Sequence, residues 1–368
     1  PFMASGTAGN WLFVDGEKSL YINPAGLVSS DLTWEKASTF NIGLDFTMLN
    51  QRLDFSFDWY QRTTSDMLVK VEYPEVLGTT APPANKAELR TRGWEVSVKW
   101  NDRIGNDFSY DLGFILSDSQ AEITKYENPS GTLSDYYVGQ KIGEIWGYET
   151  EGFYQSDTDV QNHADQSKLG ANWAPGDIMY KDLDGNKKIN NGSNTLDDHG
   201  DLKVIGNTTP RYQYGITANM SYKNVYLNVF FQGIGKRDFW PSSQPFWPVA
   251  TQYYNTQKWF VTDSWSEDNR DAYFARPIAR ETKNQQKQTK YLQDASYCRL
   301  KNLTVGYDFP KSWLSFLHVA KAGVYFSAEN LFEFTNVKGA YDPEAAGKNG
   351  TMVYPFQRTY SFGLNVTF

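Results

Sequence analysis

The chain has 368 residues and a formal net charge of −8, with Lys and Arg scattered rather than clustered, which argues against a nucleic-acid partner. Aromatics make up 16 % of it and charged residues only 21 %, a composition that favours β-structure over helix. A single cysteine, Cys298, excludes an internal disulfide, and the absence of any long apolar run means that a membrane span would have to be made of β-strands.

Residues 1–38 are irregular, with Asn23-Pro24-Ala25-Gly26 marking a turn. Pro1-Phe2-Met3 has neither the basic nor the apolar region of a signal peptide, so the expectation is a chain that begins inside a longer polypeptide. From 39 to 49, Phe40, Ile42, Leu44, Phe46 and Met48 alternate with polar residues. After an Asn50-Gln51 turn, Leu53, Phe55, Phe57 and Trp59 alternate with Asp54, Ser56, Asp58 and Tyr60 over 52–61. This is a long hairpin with one apolar face. Prolines in 63–87 exclude a central strand there. A third strand over 88–100 carries Trp94, Val96, Val98 and Trp100, and a fourth carries Phe108, Tyr110, Leu112, Phe114 and Leu116.

The connection 120–209 is very long, and 141–156 is assigned to it rather than to a spanning strand. Tyr212 to Tyr222 and Val225 to Phe231 form another hairpin about Lys223-Asn224, followed by a second long connection, 235–294. Strands over 297–309 and 322–332 come next, then the connection 337–355 and a closing strand over 357–368. In that last strand Tyr360, Phe362, Leu364, Val366 and Phe368 alternate with Thr359, Ser361, Gly363, Asn365 and Thr367. The terminal aromatic resembles the end of bacterial outer-membrane barrel proteins, while a soluble sandwich edge is the other reading of this stretch taken alone.

Connections after strands one, three, five and seven are short, and those after two, four, six and eight are long. Outer-membrane barrels have short periplasmic turns and long extracellular loops, which makes 63–87, 120–209, 235–294 and 337–355 the extracellular loops. Phe46, Phe57, Val98, Ile216 and Leu364 are expected on the lipid face, and Asp45, Asp58, Lys99, Thr217 and Asn365 on the lumen face. Nine strands is an odd number, whereas complete bacterial barrels have an even one. The fold class expected is therefore all-β: an antiparallel transmembrane β-barrel, of which 1–368 supplies the C-terminal part.

Several segments resemble the SusC/RagA-type TonB-dependent transporters of Bacteroidota outer membranes. They are Asp31-Leu32-Thr33-Trp34-Glu35-Lys36 leading into Asn41-Ile42-Gly43-Leu44-Asp45-Phe46, then Thr64-Ser65-Asp66-Met67-Leu68, Ile142-Gly143 to Gly152, and Pro175-Gly176-Asp177-Ile178 to Asn186. Asp294-Ala295-Ser296-Tyr297 to Gly306-Tyr307 and Glu329-Asn330-Leu331-Phe332 complete the series. The resemblance implies a barrel of about 22 strands plugged by an N-terminal domain that this chain lacks. It further implies energised import of oligosaccharides or peptides, with a SusD-like lipoprotein as partner and TonB engaged through the missing N-terminal region. A passive porin-like or structural barrel is the second reading, and an outer-membrane hydrolase the third.

Asp182-x-Asp184-x-Asn186 spaces oxygen side chains like positions 1, 3 and 5 of a calcium loop, with Ile189 at position 8. Lys187 stands where such a loop has Gly, and Ser193 where it has a bidentate Glu; Asp197, Asp198 or Asp201 would have to substitute. A solvated acidic turn is the other reading, and calcium is the one cofactor considered. No enzyme motif is present, and His163, His199 and His318 are far apart in sequence, so no catalytic residue is assigned. Trp240, Trp247, Trp259 and Trp265 are candidate ligand or partner contacts, with the loop's own small core as the alternative.

Overall fold

Period-two alternation over long segments produces one nine-stranded antiparallel sheet: β1 Lys36–Met48, β2 Leu53–Val69, β3 Ala84–Ile104, β4 Phe108–Lys125, β5 Arg211–Tyr222, β6 Val225–Lys236, β7 Tyr297–Asp308, β8 Lys321–Thr335 and β9 Thr359–Thr367. Each strand pairs with its neighbours in sequence, and β1 and β9 stand at the two ends of the order. The computed structural model describes residues 8–14, 17–22, 32–70, 82–250, 255–315, 318–339, 341–346 and 356–368, the first two ranges by backbone alone. Ala8–Val14 and Glu17–Ile22 pair with each other as a separate hairpin.

Register makes the two faces of the sheet different. One row of paired residues reads Leu112, Ala218, Val229, Leu303, Ala328, Tyr360; the adjoining row reads Asp111, Asn219, Asn228, Thr304, Ser327, Ser361. Paired residues share a face, so apolar and polar rows lie on opposite sides. On the polar face the side chains bond across strands: Asn219 Nδ2 donates to Asp111 at 3.0 Å, Lys99 pairs with Asp111 at 3.3 Å, and Thr47 donates to Asp54 at 2.7 Å. The apolar face leaves Leu364 and Phe362 65 % and 84 % exposed, which calls for an apolar surrounding. On the polar face Gly306 and Gly363 are sockets for aromatic rings. A Cβ there would lie 2.0 Å from Tyr226 Cζ and 2.2 Å from Tyr325 Cζ.

The strands outrun the lengths read from the sequence, so the connections are shorter. The 63–87 connection gives way to β2 reaching Val69 and β3 starting at Ala84, directly after Pro83; of what remains, 71–81 lies outside the described residues. Likewise β4 reaches Lys125, β6 reaches Lys236 and β8 reaches Thr335. The physical reason is that polar residues such as Asn101, Asp102 and Arg103 continue the backbone ladder beyond the apolar band. Most of 337–355 lies outside the described residues.

The chain divides into two compact units. In one, made of 1–40, 61–91 and 121–141, Lys36 pairs with Asp66 at 2.9 Å, Arg90 with Glu122 at 3.2 Å and Lys86 with Glu127 at 2.7 Å. The other, 41–60, 92–120 and 142–368, holds β5 to β9 and most of the two longest connections. Within it the register of β7 shifts at Lys301 against both neighbours, Lys301 being the extra residue against β6 and lying opposite both Asn330 and Leu331 of β8. Arg299, 1 % exposed, meets Asp342 and Glu344 at 2.6 Å each, so the last connection is tied to the sheet by a buried guanidinium.

A cation in the middle of the apolar face tests the assignment of faces. Ile216→Arg is expected to cost about 2 to 4 kcal/mol of folding free energy in a bilayer. Asn219→Arg, whose guanidinium would meet Asp111, should cost much less. Denaturant unfolding of both variants of the full-length protein in lipid vesicles measures the difference.

Candidate functional site in the long connections

Residues 142–210, 237–250 and 255–296 fold together around an aromatic core. Glu144–Tyr148 pairs with Leu202–Asn207, Thr150–Phe153 with Ile178–Tyr180, and Asp238–Phe239 with Gln293–Asp294. These short strands pair among themselves and add nothing to the large sheet, so 141–156 is connection, as its sequence indicates. Ile178, Tyr180, Ile189 and Tyr291 are wholly buried. Phe246 touches the rings of Trp247 (4.8 Å), Phe274 (5.4 Å) and Tyr291 (6.2 Å).

The four candidate tryptophans do not form an outward platform. Trp247 and Trp265 are buried in this core, and Trp259, half-buried, packs on Phe274 at 4.6 Å. Trp240 is half-buried against Trp247 at 6.0 Å. Trp247, Trp259 and Trp265 spend apolar area on holding two distant connections together, a role that their own stretch of sequence does not reveal, whereas Trp240 also lines a groove. Burial pushes the Tyr273 hydroxyl up to about 12 and lowers the Lys290 ammonium beneath the ordinary lysine range.

The same core encloses an ion cluster that sequence reading did not single out. Asp177 is wholly buried and accepts from Arg276 Nε at 2.8 Å and Nη2 at 2.9 Å, and from Asn284 Nδ2 at 2.9 Å; Lys283 Nζ lies 3.0 Å away. Lys283, also buried, donates to the carbonyls of Ala171 (2.9 Å) and Asn172 (2.8 Å). Burial acts to raise the Asp177 carboxyl, and the bonds from Arg276, Asn284 and Lys283 outweigh it, holding the group below the usual carboxylate range. The one sequence signal is its place in Pro175-Gly176-Asp177, a segment that carries the family resemblance.

The acidic loop lies beside this core. Carboxylate oxygens of Asp182, Asp184 and Asp201 lie within 4.8 Å of one another. Oxygens around one calcium ion lie within about 5 Å of each other, since each sits about 2.4 Å from the metal, so the trio fits. Gly185 N and Lys187 N donate to the two Asp182 oxygens at 2.8 Å each, and Lys187 adopts φ +61°, the bend for which such loops use glycine. Burial acts to raise the Asp182 carboxyl, but these N–H groups hold it low and ionised. Asp201, wholly buried, receives the N–H of Leu183 (2.8 Å) and Asn190 (2.9 Å). Asn186 is turned to Asp184, its Nδ2 donating at 2.7 Å. Ser193 bonds Asp198 at 2.6 Å, and neither Asp198 nor the exposed Asp197 is in the trio.

The histidines keep separate partners: His163 with Tyr154 at 3.0 Å, His199 beside the Trp146 ring at 5.5 Å, and His318 in the turn after β7. Nothing assembles them into a reactive pair.

Asp177→Asn would leave the buried Lys283 and the half-buried Arg276 short of a partner, at an expected cost of about 3 to 5 kcal/mol to the loop core. Because the folded carboxyl is depressed, its contribution is full above the unfolded value of about 4 and is lost as pH falls through the lower folded value. Protection against hydrogen exchange over 144–294, taken relative to the intrinsic amide rate at each pH, should therefore be high in the wild type at pH 5 to 7, fall below about pH 4, and be low in the variant throughout.

Comparison with known proteins agrees with this architecture. The family described as TonB dependent receptor-like, beta-barrel, matches residues 5–331. TonB-dependent receptor P3 of Formosa agariphila is 30 % identical over 366 residues, spanning 92 % of this chain and 35 % of that one. TonB-dependent receptor SusC of Bacteroides thetaiotaomicron is 27 % identical over 355 residues, spanning 92 % and 32 %. The chain thus spans about a third of the length of these relatives. Among solved structures, the RagAB peptide importer in its open-open state superposes with a TM-score of 0.74 at 25 % identity, covering 100 % of this chain and 38 % of that one. With its antiparallel nine-stranded sheet and this match over most of its length, the chain belongs to the TonB-dependent receptor β-barrel family and is similar to its SusC- and RagA-type members.

Proposed function

We propose that this chain forms part of the barrel of an outer-membrane transporter that imports oligosaccharides or peptides at the expense of energy delivered by TonB. The observation that carries the reading is the pairing of a family-typical sheet with an independently cored aromatic domain built from its long connections. A bare porin needs no such domain. On this reading the apolar face meets lipid, the long connections are extracellular, and β1 and β9 pair with further strands of the same polypeptide, because unpaired backbone groups are untenable in a bilayer. A SusD-like lipoprotein caps the extracellular side, and TonB acts through a part of the protein beyond these residues. The similarity to the TonB-dependent receptor SusC supports the transporter reading, and that to the RagAB peptide importer supports peptides among the substrates. No enzymatic step belongs to this reading.

Deleting the gene and measuring uptake of fluorescent oligosaccharides and peptides tests it. Uptake is expected to vanish on deletion and on treatment with an uncoupler; uptake that survives the uncoupler would instead support the passive barrel. Purification in mild detergent should yield the lipoprotein with the transporter.

Calcium is proposed as a structural ion of the acidic loop, held by Asp182, Asp184 and Asp201 with the Asn186 side chain close by. It would neutralise a carboxylate cluster and stiffen 177–201. At calcium a hundredfold above Kd, opening of the loop is suppressed about a hundredfold. Chelation should accelerate proteolysis of 177–201 by about that factor while the sheet stays folded, and Asp201→Asn should abolish the effect. Equal cleavage with and without chelator would remove calcium from the account.

A further inference from the structure

A groove of about 540 Å3 opens beside the acidic loop, between Glu144–Tyr148 and residues 285–287. Its size is that of an ordinary small-ligand site. Two indoles line it, Trp146 and Trp240, and each is backed by a second ring, Trp146 by His199 at 5.5 Å and Trp240 by Trp247 at 6.0 Å. Their positions are therefore set before any ligand arrives, which lowers the ordering cost of binding. Tyr148 N donates to Lys287 O at 2.8 Å and Thr289 N to Tyr148 O at 3.1 Å, so the two walls are stitched together by main chain.

The polar lining is one-sided. Lys168 and Lys287 contribute ammonium groups and Asn191 and Gln286 contribute amides, and no carboxylate lines the groove, in a chain whose net charge is −8. None of these four side chains makes a hydrogen bond or close ion pair with the described residues, and Lys168 has the Asp165 carboxylate as a more distant electrostatic neighbour. Two cations without a close ion pair and two unspent amides between fixed indoles match a hydroxylated sugar ring that carries negative charge: the C–H face of the ring stacks on indole, the amides take hydroxyls, and the lysines make charge-assisted bonds. A peptide fits less well, because the main-chain groups of Tyr148 that would pair with an extended strand are already taken by Lys287 and Thr289.

We infer that this groove binds an anionic oligosaccharide, a sugar chain bearing carboxylate or sulfate. The inference rests on the import reading above and names its substrate class. The test uses the full-length receptor in detergent and four probes: an oligouronate tetrasaccharide, its carboxyl-reduced neutral counterpart, a sulfated neutral tetrasaccharide and an acidic peptide of equal charge. At least one anionic sugar is expected to bind, at least about tenfold more tightly than the neutral sugar and the peptide, and to bind more weakly as salt is raised. Which of the two binds assigns carboxylate or sulfate. The double substitution Lys168→Gln with Lys287→Gln, both exposed side chains, should weaken it about tenfold while leaving loop proteolysis unchanged. Equal binding of neutral and anionic sugars, preference for the peptide, no binding of either anionic sugar, or an inert lysine pair would each overturn the inference. If other nutrients still enter in an uncoupler-sensitive way while the anionic sugars fail to bind, this inference falls and the import reading stands. If the anionic sugar binds in detergent but nothing is taken up, the import reading falls and this one stands.

Discussion

Sliding any one strand of the large sheet by a single residue would carry Leu112, Ala218 or Val229 to the face that holds Asp111, Asn219 and Asn228. It would also open a gap in the polar ladder and bury charge among apolar side chains. Register is therefore held from both sides at once. Cross-strand bonds such as Ser109 to Ser221 at 2.8 Å and Thr304 to Ser327 at 3.1 Å resist a slip on the polar face. Continuous apolar rows resist it on the other. Most of what the sheet offers, two chemically distinct surfaces and fixed ends from which connections depart, follows from that alignment.

The connections solve a different problem. Chain of such length cannot leave its backbone polar groups unpaired or its aromatics in water, so the two longest connections share one core and one set of short strands. Asp177 is central to this arrangement because it binds Arg276, Lys283 and Asn284, which arrive from the other connection. An apolar cluster alone would leave the relative position of the two connections loose, whereas a buried carboxylate with directional partners admits one arrangement. The same rigidity brings Asp201 back to Asp182 and Asp184 and sets the Trp146 and Trp240 rings.

The strands were legible because alternation is a local signal. Nine segments showed it, and nine strands pair in sequence order. Their lengths were less legible, since β3 runs 21 residues from Ala84 to Ile104 while its apolar alternation covers only the middle. The hydrogen-bond ladder needs no apolar side chain and extends past the pattern. In the connections the signal was ambiguous for a physical reason: tryptophans in a binding platform and tryptophans in a core have the same composition. Trp247 and Trp265 could be placed only by their contacts with residues far along the chain. The acidic run Asp182, Asp184, Asn186 was visible, but its closing carboxylate was not fixed by spacing. Asp201 was one of three acids within reach, and it is the one that the N–H groups of Leu183 and Asn190 hold beside Asp182 and Asp184.

The glycine sockets of the polar face bear on how much room that face leaves in front of it. In family barrels the polar side lines the interior. A tyrosine standing upright on such a wall would project by the length of its ring. Tyr226 and Tyr325 instead lie over Gly306 and Gly363, in space that any side chain at those positions would have filled. The wall thus keeps its aromatic surface and its hydroxyls while staying thin. The depth of side chain standing on this face is set at these positions by the absent side chains of two glycines as much as by the side chains that are present.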